Sequence, residues 1–531
     1  MSKRINVIDL FAGPGGLGEG FSSLKIGNDF PFDIQMSVEK EASAHKTLTL
    51  RSFYRKFRGK KTPAAYYEYI KNPELGTKFL AKEHPEEWAA ALKETLERPQ
   101  ELGSEDDEQI FKKLKKIKKE SNEPFVVIGG PPCQAFSVMG RIKNSSLAGY
   151  IAEDDHRHFL YKEYLKVIDT VKPEIFVMEN VRGIITAKLN GERMFPLIIE
   201  DLECPGKALG RKTGQNYFIY SLSHEPESIS KSGKPSYKSD QDFVIKAEDF
   251  GIPQNRHRVI LLGVRADIAK NIQPSILTTS KKVATDQLIE GLPKLRSAVS
   301  RQPDNEQLWI DTVKKEGTSL VSILKNENQK ELALHVKNLL LDIKSPKAQR
   351  GNKQYFRTKE AGLDNTPEDL KKFIADPNLD GQLNHFSRSH MISDLQRYLF
   401  CAAFSEINKN RNIPSPSKRD FPEALAPNHK SWESGKFADR FRVQFRGKPA
   451  STITSHINRD GHYFIHYDPK QCRSLSAREA ARLQTFPDNY FFEGTQTQQY
   501  VQVGNAVPPY LAYKISNIVH AIFDAKTNKT L

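Results

Sequence analysis

Two side chains capable of covalent chemistry each follow a short apolar stretch of the chain. Cys133 comes after the apolar residues 125–128 and a Gly-Gly-Pro-Pro sequence at 129–132. Glycines allow a sharp turn and prolines stiffen it, so a thiol is held at the end of a predicted buried strand. Glu179 follows the apolar segment 173–178 in the same way. Strand ends in open α/β sheets are where ligands bind, so the thiol and the carboxylate are candidates for one reactive site.

A glycine-rich loop predicts a second functional element near the start of the chain. Residues 5–10 (Ile-Asn-Val-Ile-Asp-Leu) read as a strand, and residues 32–38 read as a second strand that ends at Glu39. The loop between them has the spacing G-x-G-x-x-G, formed by Gly13, Gly15 and Gly18. Such a loop brings the backbone close to a nucleotide-like ligand, and the acid accepts hydrogen bonds from ribose hydroxyls. The pattern predicts a Rossmann-type cofactor site without choosing between NAD and S-adenosylmethionine.

Alternating polar residues precede the apolar segment 259–264. On an extended backbone, Gln254, Arg256 and Arg258 point to one side. Adjacent guanidinium groups are suited to a phosphate or a carbonyl oxygen.

Length, charge and cysteine content limit the classes of protein to which the chain can belong. The chain has 531 residues, a net charge of +15 and four scattered cysteines without zinc-ligand spacing. We expect no bound metal, no membrane span and an intracellular, reducing location. Residues 270–450 carry 31 Lys and Arg against 21 Asp and Glu. The surplus favours a polyanionic partner, most simply nucleic acid.

Six segments together resemble the DNA (cytosine-5) methyltransferases, in the order that this family has. They read Asp-Leu-Phe-Ala-Gly-Pro-Gly-Gly at 9–16, Pro-Pro-Cys-Gln-Ala-Phe-Ser at 131–137, Glu-Asn-Val at 179–181, Gln-Asn-Arg-His-Arg at 254–258, Arg-Glu-Ala-Ala-Arg-Leu-Gln-Thr-Phe-Pro at 478–487 and Gly-Asn-Ala-Val-Pro-Pro at 504–509. The resemblance covers roughly 1–265 and 450–531. It implies an α/β, Rossmann-like fold typical of S-adenosylmethionine-dependent methyltransferases, with a smaller, irregular target-recognition domain. The implied domains are 1–265 (catalytic), 266–450 (target recognition) and 451–531, which returns to the catalytic domain with the final helix.

The same resemblance assigns roles to individual residues. The implied catalytic residues are Cys133, Glu179, Arg256 and Arg258. The implied contacts to S-adenosylmethionine are Phe11 against the adenine, the backbone of Ala12, Gly13, Gly15 and Gly16 along the methionine part, Glu39 at the ribose, Leu160, and Asn505 at the carboxylate. The family's adenine-binding aspartate has no clean match, and both Asp106 and Asp107 stay open.

The predicted reaction is methyl transfer to C5 of a flipped-out cytosine in double-stranded DNA, through a covalent adduct between the cysteine and C6. The resemblance further implies a monomeric prokaryotic modification enzyme in the cytoplasm, associated with the nucleoid. The resemblance is also compatible with a cognate restriction endonuclease as a partner that acts separately. Two alternatives are an RNA cytosine-5 methyltransferase and a dinucleotide-binding oxidoreductase. The long basic insertion argues against the first, and Cys133, Glu179 and that insertion argue against the second.

Overall fold

The computed structural model describes residues 4–132, 160–189, 191–270, 272–359, 362–428, 432 and 440–530. None of the helices in these parts of the chain is long and apolar enough to span a bilayer.

The centre of the fold is a seven-stranded, mostly parallel sheet. Its strands are β1 (Ile5–Leu10), β2 (Phe32–Val38), β3 (Phe125–Gly129), β4 (Ile175–Val181), β5 (Tyr217–Tyr220), β6 (Val244–Lys246) and β7 (His257–Arg265). The order is β6-β7-β4-β3-β1-β2, and β5 pairs with the same edge of β7 as β6 does. Strands β2, β1, β3 and β4 are parallel, whereas β7 is antiparallel to β4. The α/β fold predicted from the sequence is confirmed.

The described helices before residue 265 are α1 (Gly16–Ser23), α2 (Ala42–Arg55), α3 (Ala64–Lys71), α4 (Thr77–Glu83), α5 (Pro85–Glu94), α6 (Asp107–Glu120), α7 (Leu160–Val171), α8 (Met194–Glu203) and α9 (Pro205–Ala208). Those that follow are α10 (Ala266–Ala269), α11 (Thr285–Ile289), α12 (Glu306–Asn326), α13 (Lys330–Leu341), α14 (Glu368–Ile374), α15 (Ile392–Ile407), α16 (Ala477–Leu483), α17 (Gln496–Asn505) and α18 (Pro509–Thr530). Short strand pairs join Lys188–Leu189 to Glu192–Arg193, Ser228–Ile229 to Pro235–Ser236, Gln254–Asn255 to Ala450–Ser451, Ala298–Val299 to Ser389–His390, and Tyr355–Arg357 to Gly381–Leu383.

Both faces of the sheet are buried, because alternate residues of its central strands enter different apolar clusters. In β3, Val126 and Ile128 belong to one cluster, and Phe125 and Val127 belong to the other. Helices α1 and α18 lie on the first face and pack so closely that a Cβ at Gly20 would overlap α18. Helices α6 and α7 cover the second face. The apolar runs that predicted β3 and β4 therefore reflect burial on both sides, as expected for parallel strands.

Residues 266–450, here called the inserted region, contain several helices that their charged composition did not indicate. Helices α12, α13 and α15 pack together, and Gly317 lets α12 approach Leu340 and Leu399 closely. After these helices, Ala450–Ser451 pairs in parallel with Gln254–Asn255, next to β7 in the chain. The sequence Thr-Ile-Thr at 452–454 predicts the start of a strand, and this prediction is wrong. The short strand is Ala450–Ser451, and a 3₁₀-helix occupies Ser455–Asn458.

The sequence Ser-x-x-Glu at 476–479 predicts a capping box at a helix N-terminus, and α16 begins with one. The Ser476 hydroxyl accepts a hydrogen bond from the Glu479 amide at 3.1 Å, and the Glu479 carboxylate accepts one from the Ser476 amide at 2.7 Å. Two of the four unpaired amides at the start of a helix are satisfied in this way.

Candidate active site

The carboxyl ends of β1 and β2 carry the glycine loop and Glu39. One Glu39 oxygen accepts a hydrogen bond from the Gly13 amide at 2.7 Å, and the other accepts one from the Glu41 amide at 2.7 Å. Burial raises the pKa of Glu39, and these amides oppose the rise. Each carboxylate oxygen has two lone pairs, so Glu39 holds the loop and can still accept hydrogen bonds from a ligand.

The backbone conformation and close packing of the glycine loop restrict which residues can occupy it. Gly15 caps α1 with φ +99°, a left-handed conformation that favours glycine. A Cβ at Gly16 would overlap the carbonyl oxygen of Val507, whereas a Cβ at Gly13 would meet no described atom within 4 Å. The loop is therefore packed against the C-terminal segment on one side and open on the other.

Phe11 leaves β1 in an unusual conformation. Its φ is +54°, which is rare for a bulky residue, and its partly exposed ring packs against the apolar cluster on the α6 and α7 face. The next amide, that of Ala12, donates to the Val38 carbonyl at 3.0 Å. Such local strain is typical of residues whose position is set by a binding site.

Two further predicted cofactor residues lie at helix ends. Leu160 begins α7, is 4% exposed, and would lie 3.4 Å from a Cβ at Gly103. Asn505 ends α17 and is exposed, two residues before the Val507 carbonyl that contacts the glycine loop. The end of α17 is thus beside the loop.

Sequence reasoning missed the segment that borders Glu39. The Gln100 amide donates to the Glu39 carbonyl at 2.9 Å, which places this turn beside the loop. Asp106 accepts from the Glu101 amide at 2.9 Å, and Asp107 accepts from the Gly103 amide at 2.8 Å. Both carboxylates therefore stabilise the turn. The sequence marked this segment only through Asp106 and Asp107, which stayed open as adenine-binding candidates, and it did not indicate the contact with Glu39.

Glu179 and Arg258 form an ion pair across β4 and β7, with the Arg258 Nε 3.1 Å from a Glu179 oxygen. The same carboxylate would lie 3.0 Å from a Cβ at Gly130, and the Asn180 amide group donates to the Pro131 carbonyl at 3.3 Å. The beginning of the Gly-Gly-Pro-Pro turn therefore stands against Glu179. Cys133, the predicted nucleophile, lies outside the described residues.

Arg256 points into the junction with the C-terminal segments. Its guanidinium donates to the Ile453 carbonyl at 2.9 Å and to the Gly504 carbonyl at 3.3 Å. Burial, together with the charge of Arg258, lowers the pKa of Arg256 to about 9. Gln254 is also buried in this junction, where it donates to the side chain of Gln484 at 2.7 Å.

A cavity of about 590 Å³ adjoins Asn255, between segments 414–418 and 441–451. Its described lining contains Lys418, Arg442 and Lys448 and no described carboxylate. An acidic group, such as a phosphate, fits this charge better than a basic one.

The sequence matches the family model for C-5 cytosine-specific DNA methylases over residues 77–206 and 236–520. The chain belongs to this family. It is therefore a methyltransferase of the DNA cytosine-5 class.

Two relatives and one solved structure show the extent of the similarity. The type II methyltransferase M.Bpa9945I of Bacillus paralicheniformis is 30% identical over 98% of this chain and 99% of its own length. The DNA (cytosine-5-)-methyltransferase M.ApeKI of Aeropyrum pernix is 23% identical over 75% of this chain and 82% of its own. A crystal structure of a prophage-encoded protein from E. coli, described as a DNA modification methyltransferase, superposes with a TM-score of 0.50 at 19% identity, covering 98% of this chain and 99% of that chain. That superposition supports the assignment of the α/β methyltransferase fold.

Proposed function

We propose that this DNA cytosine-5 methyltransferase uses S-adenosylmethionine to methylate C5 of a flipped-out cytosine, through a covalent bond between Cys133 and C6. The main support is the ion pair of Glu179 and Arg258, which stands against the turn that leads to Cys133. The glycine loop and Glu39 lie at the same edge of the sheet. A nucleophile, an acid, a cation and a cofactor loop would then share one site.

The residues of the cofactor loop fit S-adenosylmethionine. Gly13 has open space beside it, and Glu39 retains lone pairs for ribose hydroxyls. We further propose contacts from Phe11, Leu160 and Asn505, whose positions at the carboxyl edge are compatible with this role. When bound, S-adenosylmethionine supplies an electrophilic methyl group.

The chain's own residues must make the cytosine ring reactive. C5 is a poor nucleophile, so the Cys133 thiolate adds to C6 and pushes electron density to C5. Glu179 hydrogen-bonds N3 and the exocyclic amine and supports protonation of the ring as C6 is attacked. Arg258 lies against the O2 side, where negative charge develops. After C5 takes the methyl group, the C5 proton leaves to a base and the bond to Cys133 breaks, which restores the aromatic ring.

Arg256 contributes to this chemistry indirectly, through contacts with the backbone around the site. Its hydrogen bonds to Ile453 and Gly504 join the strand that carries Arg258 to the segment that carries Asn505. We propose that Arg256 holds these two parts of the site in register, in addition to placing positive charge behind Arg258.

The region 266–450 is proposed to recognise DNA, between catalytic segments 1–265 and 451–531. Its positive charge and the basic cavity beside Asn255 both favour a polyanion. A duplex hides C5 and C6, so the target base has to leave the helix to reach the carboxyl edge of the sheet. The names of the relatives favour a type II modification enzyme, with any cognate restriction endonuclease acting separately.

Mechanism-based trapping tests the covalent step. Duplex DNA with 5-fluorocytosine at the target has no C5 proton to lose, so the adduct should persist through denaturation when S-adenosylmethionine is present. Cys133→Ser should abolish the adduct, because a hydroxyl is far less ionised than a thiol. Cys204→Ser is the matched control, since Cys204 is partly exposed, whereas Cys401 and Cys472 are buried. An adduct that persists in Cys133→Ser, or that maps to Cys204, contradicts the mechanism.

Bisulfite sequencing of DNA from cells that express the chain tests the substrate. We expect 5-methylcytosine in one sequence context, and replacing 266–450 with the corresponding region of a relative should change that context. Methylation confined to RNA, measured in parallel, would support the RNA alternative instead. DNA affinity should fall steeply with salt because phosphate contacts release counterions.

A further inference from the structure

The glycine loop is held by a side chain from far along the sequence. The hydroxyl of Tyr490 donates a hydrogen bond to the carbonyl oxygen of Pro14, between Gly13 and Gly15. A Cβ at Gly15 would lie 3.1 Å from the same hydroxyl. Tyr490 is fully buried, so water does not replace this contact.

Several contacts fix Tyr490 in place. Its carbonyl accepts a hydrogen bond from the Arg478 guanidinium at 2.6 Å, and its ring packs against Phe486 and Phe492. The guanidinium of Arg51 lies 4.7 Å from the ring centre. Arg51 is in turn ion-paired with Glu19 of α1 at 2.6 Å, so the ring is tied to the helix that follows the loop.

The hydroxyl is a hydrogen-bond donor throughout the ordinary pH range. Burial raises the pKa of Tyr490 well above its usual value, and the nearby Glu19 carboxylate raises it further. The proton therefore stays on the phenol, and the Pro14 carbonyl keeps its partner.

The loop has three successive anchors. Glu39 holds the Gly13 amide, Tyr490 holds the Pro14 carbonyl, and the Gly15 amide donates to the Ala12 carbonyl at 2.9 Å. The first and second anchors come from other parts of the chain, and together they fix the Ala12–Gly13 and Pro14–Gly15 peptide planes, which flank the Gly13–Pro14 peptide bond. A loop ordered in this way before binding loses less entropy when the ligand arrives.

We propose that Tyr490 is a positioning residue for the cofactor loop, and that its hydroxyl sets the affinity for S-adenosylmethionine without touching the ligand. This inference rests on the proposed function, in that the loop is taken to bind S-adenosylmethionine.

The substitution Tyr490→Phe tests the positioning role of Tyr490, because it removes only the hydroxyl. The Kd of S-adenosylhomocysteine, measured by calorimetry, should rise about tenfold, the change that corresponds to about 1.4 kcal/mol for one buried hydrogen bond. The KM for S-adenosylmethionine should rise in parallel, whereas kcat and the KM for DNA should stay within about twofold of the wild type.

Tyr500→Phe is the matched control. Tyr500 is also fully buried, and its hydroxyl donates to the Leu475 carbonyl at 2.7 Å, away from the loop. It should lower the unfolding temperature about as much as Tyr490→Phe does and leave the Kd of S-adenosylhomocysteine unchanged. An equal loss of affinity in both variants would overturn the proposal, as would an unchanged Kd in Tyr490→Phe. If the wild type itself fails to bind S-adenosylhomocysteine, the proposed function fails instead.

Hydrogen exchange on the wild type gives a second measurement that does not depend on a variant that folds. The Gly13 and Gly15 amides should be protected before any ligand is added, because their acceptors are already in place. Rapid exchange that slows only when S-adenosylhomocysteine is added would show that the ligand orders the loop, and would overturn the proposal.

Discussion

Arg258 and Glu179 face each other across antiparallel strands, with the Nε of Arg258 3.1 Å from Oε1 of Glu179. Both side chains are largely buried, at 16% and 13% exposure. In the register of the sheet, Arg258 lies beside Val181 and Ile260 lies beside Glu179, so the pair forms diagonally at the carboxyl edge. Each group therefore orients the other before a substrate arrives.

Arg258→Lys should lower kcat about 100-fold, since removing one preorganised donor at a developing negative charge costs about that much. A lysine keeps the charge and loses the planar fork that matches a carboxylate. Single-turnover methylation measures the effect. Arg265→Lys is the control, because Arg265 lies at the other end of β7 and also pairs with a glutamate, Glu174, at 2.9 Å. Equal rate losses in the two variants would mean that only sheet stability had changed.

Glu39→Gln should weaken S-adenosylhomocysteine binding by about 10- to 100-fold, the range for a hydrogen bond to a charged group. The amide keeps the shape of the carboxylate and presents one acceptor oxygen in place of two, so either the Gly13 or the Glu41 amide loses its partner. Calorimetry measures the affinity. Glu174→Gln is the matched control, because the Glu174 carboxylate also accepts a hydrogen bond from a backbone amide, that of Phe125 at 2.8 Å. Glu174 lies at the opposite edge of the sheet from the glycine loop. Unchanged affinity in Glu39→Gln would argue against its role in the loop.

Gly16→Ala and Gly13→Ala should differ in severity. At Gly16 the added methyl group would overlap the Val507 carbonyl, so the C-terminal segment must move, at a cost of about 1–3 kcal/mol or more. At Gly13 there is space, and only the φ of +57° opposes alanine, at about 1–2 kcal/mol. Thermal unfolding should show the greater loss for Gly16→Ala, with weaker binding of S-adenosylhomocysteine. A larger loss at Gly13 would contradict this packing.

Elements that depend on neighbouring residues could be predicted from the sequence. Strands β1 and β2 have the predicted bounds, because apolar residues recur at every second or third position along each segment and this local pattern is typical of a strand. The capping box of Ser476 and Glu479 was equally local. The order of the motifs, in turn, identified the family.

Elements that depend on distant residues could not be predicted. Residues 452–454 do not form the expected strand, because the pairing with Gln254–Asn255 ends at Ser451 and the Ile453 carbonyl accepts a hydrogen bond from Arg256. The contact of Gln100 with Glu39 spans the helices α2 to α5, and no periodicity indicates it. Composition gave the charge of the inserted region and did not give its helices.

Asp9 provides a prediction about pH. It lies in β1 beside the glycine loop, it is fully buried, and neither carboxylate oxygen accepts a hydrogen bond of normal geometry from the described residues. Burial raises the pKa of Asp9 to about 8, although the charge of Arg55 opposes the rise. The folded protein therefore keeps the proton up to about pH 8, whereas the unfolded chain loses it near pH 4.

Between these pH values the folded state binds more protons than the unfolded state, so the free energy of unfolding falls as the pH rises. Asp9→Asn keeps the shape of the neutral acid and cannot ionise. We expect the variant to match the wild type near pH 4 and to become more stable than it as the pH approaches 8, because burial penalises the ionised form of Asp9 and not a neutral amide. The difference should reach several kcal/mol, since each tenfold change in proton affinity corresponds to about 1.4 kcal/mol. Denaturant unfolding at several pH values measures this difference. A difference that stays constant from pH 4 to pH 8 would mean that Asp9 does not titrate in this window.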